Sequence, residues 1–179
     1  MNVTDEDLAE AAAAGDRTAF AVLLERHYDR LFALAFRLTG VRAEAEDLTQ
    51  DICATLPAKL KGFRGTARFT TWAYRVMVNA AHDRRRRASA RARAADGWGD
   101  WEIARRAEAE EARDRADWLS SAMAMLSDEL CDTVALTFDG EMTQAQAAEV
   151  LGVSQGTVAW RMSEVKKRLR ALKEKEAQA

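Results

Sequence analysis

Phe20, Leu24, His27, Leu31, Leu34 and Leu38 follow one another at steps of four and three. That spacing lays one apolar face along a helix, and Gly40 supplies its stop. His27 falls on this face, where it reads as a packed core histidine rather than a ligand. A second amphipathic run opens near Ala43 and sets Leu48, Ile52 and Leu56 on one side, with Pro57 expected to kink or end it. The stretch KGFRGTARF, from Lys61 to Phe69, carries two glycines and three basic residues and reads as a loop. Thr70 or Thr71 then caps a helix predicted to bury Phe69, Trp72, Val76 and Ala80 and to run to about Arg87. In ASARARAADGWGDWE the periodicity lapses. It resumes with Leu119, Met123 and Leu126, then Leu130, Val134 and Phe138. The expected fold is all-α: two small helical domains, 1–90 and 117–179, joined by a linker over 91–116.

The segment MTQAQAAEVLGVSQGTVAWRMSEVKKRLRAL has the grammar of a helix-turn-helix. Thr143 and Gln146 form a capping box at the start of its first helix. Ala147, Val150 and Leu151 make that helix apolar on one side, Gly152 ends it, Val153 packs between the helices, and Ser154 caps the second. Val158, Met162, Val165, Leu169 and Leu172 then form one stripe. At about 100° per residue, Gly156, Trp160, Ser163, Glu164 and Lys167 point the other way, with Ala159 at the edge. A recognition helix sends such residues into the major groove of DNA.

Composition narrows the choice. The chain has 179 residues, 48% apolar and 31% charged, with one proline and nine glycines. No run is long and apolar enough to span a bilayer, so no membrane insertion is expected. The acidic start, MNVTDEDLAEAAAAGD, is not that of a signal peptide, and the cytoplasm is the expected location. Cys53 and Cys131 lie far apart in apolar helical patterns and read as structural; two cysteines and two histidines at these spacings form neither a metal site nor a catalytic triad. No nucleotide-binding loop is present. The reading is therefore not an enzyme, with no metal or cofactor.

The net charge of −2 conceals a strong asymmetry. Gly62 to Ala95 holds nine Arg and one Asp, Asp96 to Asp132 holds four Arg against eleven acids, and Ser154 to Lys175 holds seven basic residues against two Glu. Two basic blocks, each closing an amphipathic helix, point to a polyanionic partner.

Three motifs in order, AEAEDLTQDI, FRGTARFTTWAYRVMVNAAHDRRRR and MTQAQAAEVLGVSQGTVAWRM, resemble regions 2.2, 2.3–2.4 and 4.2 of the extracytoplasmic-function sigma factors of the sigma-70 superfamily. The resemblance covers nearly the whole chain. It implies a factor that binds core RNA polymerase and directs it to promoters, region 2 reading and helping to open the −10 element and region 4 reading the −35 element. By this resemblance Asp47, Leu48, Gln50 and Asp51 match the segment that docks on the polymerase clamp helices. Phe63, with Arg64, Arg68, Trp72, Arg75 and Asn79, would meet the −10 strand: Phe63 in the loop that holds a flipped base, Asn79 beside it. Trp72, on the apolar stripe, is equally placed to pack in the core. Arg84 and Arg85 would lead a run to Arg87 toward duplex phosphates, positioning the protein through counterion release. Ser154, Gly156, Thr157, Ala159, Trp160, Arg161, Ser163, Glu164 and Lys167 would form the −35 surface. An anti-sigma factor is the further partner the resemblance implies, and the acidic linker would thread the polymerase.

The chain also departs from the pattern. Trp72 is followed by Ala73 where primary sigma factors have adjacent tryptophans, which implies weaker melting. Ala159, Trp160 and Glu164 replace residues that are often Ser or basic. Glu164 has two readings: acceptance from a cytosine amino group, or an intrahelical pair with Arg161 or Arg168. Two rival functions share parts of the pattern. A helix-turn-helix regulator acting without core polymerase leaves AEDLTQ and the arginine run unexplained, and a sigma mimic that titrates a regulator would not support transcription.

Overall fold

The computed structural model describes residues 3–94 and 126–176. These form seven α-helices: α1 (Asp5–Ala13), α2 (Arg17–Thr39), α3 (Arg42–Leu60), α4 (Phe69–Ala94), α5 (Asp128–Thr137), α6 (Gln144–Leu151) and α7 (Gln155–Glu176), with a 3-10 turn at Phe138–Gly140. The chain divides into two compact units, Met1–His82 with Glu149–Leu151, and Asp83–Ala148 with Gly152–Ala179. The expected linker from residue 95 onward, and the helix expected to carry Leu119 and Met123, lie outside the described residues. No described helix is long and apolar enough to cross a membrane.

In the first unit, α2 packs along α3 and α1 lies against both. Leu23, Leu31 and Leu34 of α2 and Leu48, Ile52, Leu56 and Leu60 of α3 are almost wholly buried. The buried face of α2 is Ala19, Leu23, His27, Leu31, Leu34, Ala35 and Leu38, so the expected Phe20 and Leu24 sit at its half-buried edge. Pro57 does not end α3, which runs on to Leu60. Proline removes one backbone donor, but complete burial of Leu60 holds the last turn in place. Asp16 caps α2, its carboxylate accepting from the Thr18 and Ala19 N–H groups at 2.8 and 3.0 Å. Gly40, at φ 72°, closes it.

The buried face of α4 is rotated by a residue from the expected one. Phe69, Ala73, Tyr74, Met77, Val78 and Ala81 are buried, whereas Trp72, Val76 and Ala80 are half-buried. The helix starts at Phe69, ahead of both threonines proposed as its cap, and Thr71 is itself buried. It also continues past Arg87 to Ala94, because Arg, Ala and Ser offer no breaker.

The acidic N-terminal stretch forms α1, which the apolar pattern did not reveal. Thr4 and Asp7 make its capping box: Thr4 Oγ1 accepts from the Asp7 N–H at 3.1 Å and Asp7 Oδ2 from the Thr4 N–H at 3.2 Å. Asp5 joins the helix to α2. Its carboxylate accepts from Arg26 Nη1 at 2.9 Å and lies 2.7 Å from Nε2 of the buried His27. Burial opposes ionisation of Asp5, but the hydrogen bonds from Arg26 and His27 prevail and hold its pKa below the ordinary 3.8.

In the second unit, Leu126 and Leu130 meet Val165 of α7, with Cys131, Val134 and Leu169 packed against them. Cys53 and Cys131 are half-buried thiols, and burial pushes the Cys53 thiol up.

Because the folded pKa of Asp5 is depressed, its stabilisation is complete above pH 3.8 and lost as pH falls through the lower folded value. Asp5→Asn is therefore expected to lower the thermal midpoint at neutral pH and to flatten the acid limb below about pH 4. Circular dichroism melts across pH test this, and parallel acid limbs for the two proteins would contradict it.

Candidate nucleic-acid interface

The polar side of α3 is set by its apolar stripe. Gln50 and Asp51 follow Asp47 by three and four residues, and all three are exposed on the side away from the core. Leu48 does not join them. It is wholly buried, so it fixes the helix in the core and offers no contact surface.

The loop before α4 gathers aromatic and basic side chains. The N–H groups of Gly62 and Phe63 close off α3 by donating to Lys59 and Leu60 carbonyls at 2.9 Å each. Gly65 turns the chain at φ 64°, a conformation that L side chains rarely adopt. Phe63 is half-buried, its ring centroid 5.4 Å from Trp72 and 6.2 Å from Phe69 in an edge-on contact. Arg64 and Arg68 are exposed on either side of the turn. Trp72, Arg75 and Asn79 stand at i, i+3 and i+7 and therefore share one face of α4. Asn79 is exposed, and Trp72 is half-buried against Phe63 and Phe69. Arg75 is engaged, donating to the carbonyls of Val150 at 3.4 Å and of Glu149.

The arginine run is less bare than its sequence. Arg85 donates through Nη2 to Asp132 Oδ1 at 2.8 Å, and its Nε lies 3.7 Å from Asp128. Asp132 is 1% exposed, so Arg85 neutralises a buried carboxylate. The adjacent sequence holds only Asp83, which pairs with Arg86 at 3.0 Å. No local pattern could have disclosed a partner 47 residues away. Arg84 is half-buried, while Arg86 and Arg87 are exposed.

The helix-turn-helix forms through the local signals its sequence carries. Gln146 N–H donates to Thr143 Oγ1 at 3.3 Å while Gln146 Oε1 accepts from the Thr143 N–H at 2.9 Å. Gly152 reverses the chain at φ 67°. Ser154 Oγ accepts from the Thr157 N–H at 3.0 Å and lies 2.9 Å from its hydroxyl. Val158 and Val165 are buried and seat α7, leaving Gly156, Ala159, Trp160, Ser163 and Lys167 outward. Trp160 is 63% exposed, the most exposed large apolar side chain described. Gln155, exposed in the first turn beside the Ser154 cap, adds to this surface a residue that the apolar stripe did not single out. A Cβ at Gly156 would meet only Ser154 Oγ, at 3.7 Å, so the free chain does not demand glycine there.

Two expected readers are tied down. Arg161 has 11% of its side chain exposed and donates to Glu129 Oε2 at 3.0 Å, which removes it from the outward face. Glu164 accepts from Arg168 Nε at 2.9 Å, one turn along the same helix. Of the readings open to Glu164, the structure carries the intrahelical pair, with Arg168 as partner. Glu164→Ala is thus expected to leave the preferred DNA sequence unchanged and to cost about 0.2–0.5 kcal/mol of helix stability. Selection from a random duplex library tests this; an altered base at one or two positions would restore Glu164 as a reader.

Comparisons with known proteins bear on the whole chain. Residues 23–91 match the family model for Sigma-70 region 2, and residues 122–171 match that for Sigma-70, region 4. The chain is 32% identical over 171 residues to the ECF RNA polymerase sigma factor SigM of Mycobacterium tuberculosis, spanning 94% of this chain and 84% of that protein. It is 31% identical to the RNA polymerase sigma factor CnrH of Cupriavidus metallidurans, over 96% of each chain. The solved structure of CnrH in complex with the cytosolic domain of CnrY superposes with a TM-score of 0.67 at 28% identity, covering 95% of this chain and 97% of that one. The sigma factor RpoE in complex with the anti-sigma factor NepR from Bartonella quintana shares the fold, with a TM-score of 0.69 at 23% identity over 87% of this chain and 96% of that one.

Proposed function

The chain belongs to the ECF RNA polymerase sigma factors, and from that premise we propose how its surfaces divide the work of starting transcription. It is a transcription initiation factor that binds core polymerase and directs it to particular promoters. Asp47, Gln50 and Asp51 dock on the clamp helices of the polymerase, with Leu48 holding α3 from inside. Phe63, Trp72 and Asn79 take up an unstacked base of the −10 strand, while Arg64 and Arg68 meet the flanking phosphates. Arg86 and Arg87 bind duplex phosphates. Arg86 gives up its exposed pair with Asp83 to do so, and Arg84, Arg85 and Arg75 contribute there only by exchanging partners they already have. Gln155, Gly156, Ala159, Trp160, Ser163 and Lys167 face the −35 element, with Ser154 and Thr157 presenting the N-terminus of α7 to a phosphate.

The observation that carries this reading is the loop at 61–68. An exposed turn flanked by Arg64 and Arg68 holds a half-buried phenylalanine against a half-buried tryptophan. A helix-turn-helix regulator reading duplex DNA has no use for it; a protein that captures an unstacked base does. A sigma mimic, in turn, would need neither this loop nor a capped recognition helix. The factor catalyses no step itself. It acts in the cytoplasm, with polymerase and promoter DNA, and an anti-sigma factor is its regulatory partner. That last assignment is supported by the relatives solved with protein partners bound.

Asp47→Arg with Gln50→Arg should weaken core binding by about tenfold or more, the scale of like charges opposed in an interface, with the helical circular dichroism unchanged. Unaltered core affinity in the folded double variant would remove α3 from the docking surface. Arg86→Ala with Arg87→Ala should weaken holoenzyme binding evenly across promoters. The log–log salt slope should fall by roughly 1 for each phosphate no longer neutralised. An unchanged slope would place those arginines off the DNA.

A further inference from the structure

α1 lies before residue 23, where the match to the region 2 family model begins. Its first turn nonetheless reaches the base of the aromatic loop at two points.

The first is the start of α4. Phe69 is the first residue of that helix, and its N–H lacks an intrahelical acceptor, as every opening N–H does. Neither Thr70 nor Thr71 is placed to cap it. Glu6 supplies the acceptor instead, its Oε1 lying 3.0 Å from the Phe69 nitrogen across 63 residues of sequence. A carboxylate at a helix N-terminus also answers the positive end of the helix dipole.

The second is the ring of Phe69. It is 1% exposed and touches three aromatic neighbours: His27 at 5.1 Å, Trp72 at 6.0 Å and Phe63 at 6.2 Å between centroids. His27 is oriented by Asp5, 2.7 Å from Nε2, while its buried Nδ1 makes no hydrogen bond. Asp5 therefore orients the His27 ring that packs on Phe69, and Glu6 holds the Phe69 backbone. Phe63 and Trp72, the pair assigned to base capture, rest directly on the residue so held.

We infer that the first turn of α1 is a positioning element for the base-capturing loop, with Glu6 acting through Phe69 to set where Phe63 and Trp72 stand. This rests on the reading of the loop given above. In this role Glu6 acts only through Phe69 and makes no contact with the base itself. Its loss should lower affinity for the unstacked strand while leaving core affinity alone.

The test uses holoenzyme assembled from core polymerase and the full chain. The probe is the single-stranded non-template −10 segment of a promoter that wild-type holoenzyme selects from a random library, with 2-aminopurine replacing one base. Glu6→Ala should bind this strand about three- to tenfold more weakly, the scale of losing a helix cap. Glu6→Gln keeps an oxygen acceptor and should bind as wild type. Glu6→Asp keeps the charge but draws the oxygen back by one methylene and should resemble Glu6→Ala. Core affinity should be equal for all of them, which also reports an intact fold. Wild-type strand affinity in Glu6→Ala, or equal affinities in Glu6→Asp and Glu6→Gln, overturns the inference. Phe63→Ala, measured in parallel, separates the two levels. Weak strand binding by Phe63→Ala beside normal binding by Glu6→Ala removes only the role of α1, whereas normal binding by Phe63→Ala removes the loop assignment and the inference with it.

Discussion

Phe69 must be buried as a ring and satisfied as a backbone donor at one point in the chain. Its side chain is 1% exposed, so it anchors α4 in the first unit. Its N–H opens a helix and has no partner within it, and an unsatisfied buried donor costs about 1–3 kcal/mol. Glu6 resolves that conflict from α1. The consequence is a sharp boundary between core and loop: the residues before Phe69 stay open, with Arg64 and Arg68 in solvent, while those after it are locked into the helix. In the role proposed for it, the loop must be open to accept a base and held to select one. The junction at Phe69 provides both conditions.

The recognition helix and the loop proposed to capture a base are built on opposite principles. The recognition helix is positioned by local signals, with the Thr143 and Gln146 capping box, the left-handed Gly152 and the Ser154 cap all acting within a few residues. The loop instead meets distant residues at its base, Glu6 at the Phe69 N–H and, through His27, Asp5. This difference governs what the sequence discloses. The helix-turn-helix, its turn and its buried stripe at Val158 and Val165 could be read directly, because caps and helical periodicity are local properties. The all-α class and the apolar faces of α2 and α3 were readable for the same reason.

What the sequence concealed is long-range or marginal. The bonds from Glu6 to Phe69, Arg85 to Asp132 and Arg161 to Glu129 span 63, 47 and 32 residues, and no periodicity encodes them. They are what removed Arg85 and Arg161 from the bare cationic surface that composition implied. The burial of α4 was displaced by a residue, because Trp72 is large and apolar yet occupies the rim of the loop. Of the kink or stop expected at Pro57, the stop does not occur, because buried Leu60 outweighs one missing hydrogen bond. Glu164 carried two readings at sequence level, since a helical acid three or four residues from two arginines has no unique partner until side chains are placed.

Dependence on core polymerase separates a sigma factor from every rival built on the same helix-turn-helix. The most direct measurement is run-off transcription by purified core polymerase on a random promoter library, with and without the chain, alongside binding of the chain alone to the selected DNA. Discrete transcripts are predicted only when chain and core are combined, with no stable complex of the chain alone on the selected promoters. Tight, sequence-specific binding by the chain alone, with no transcripts in the presence of core, would contradict the assignment.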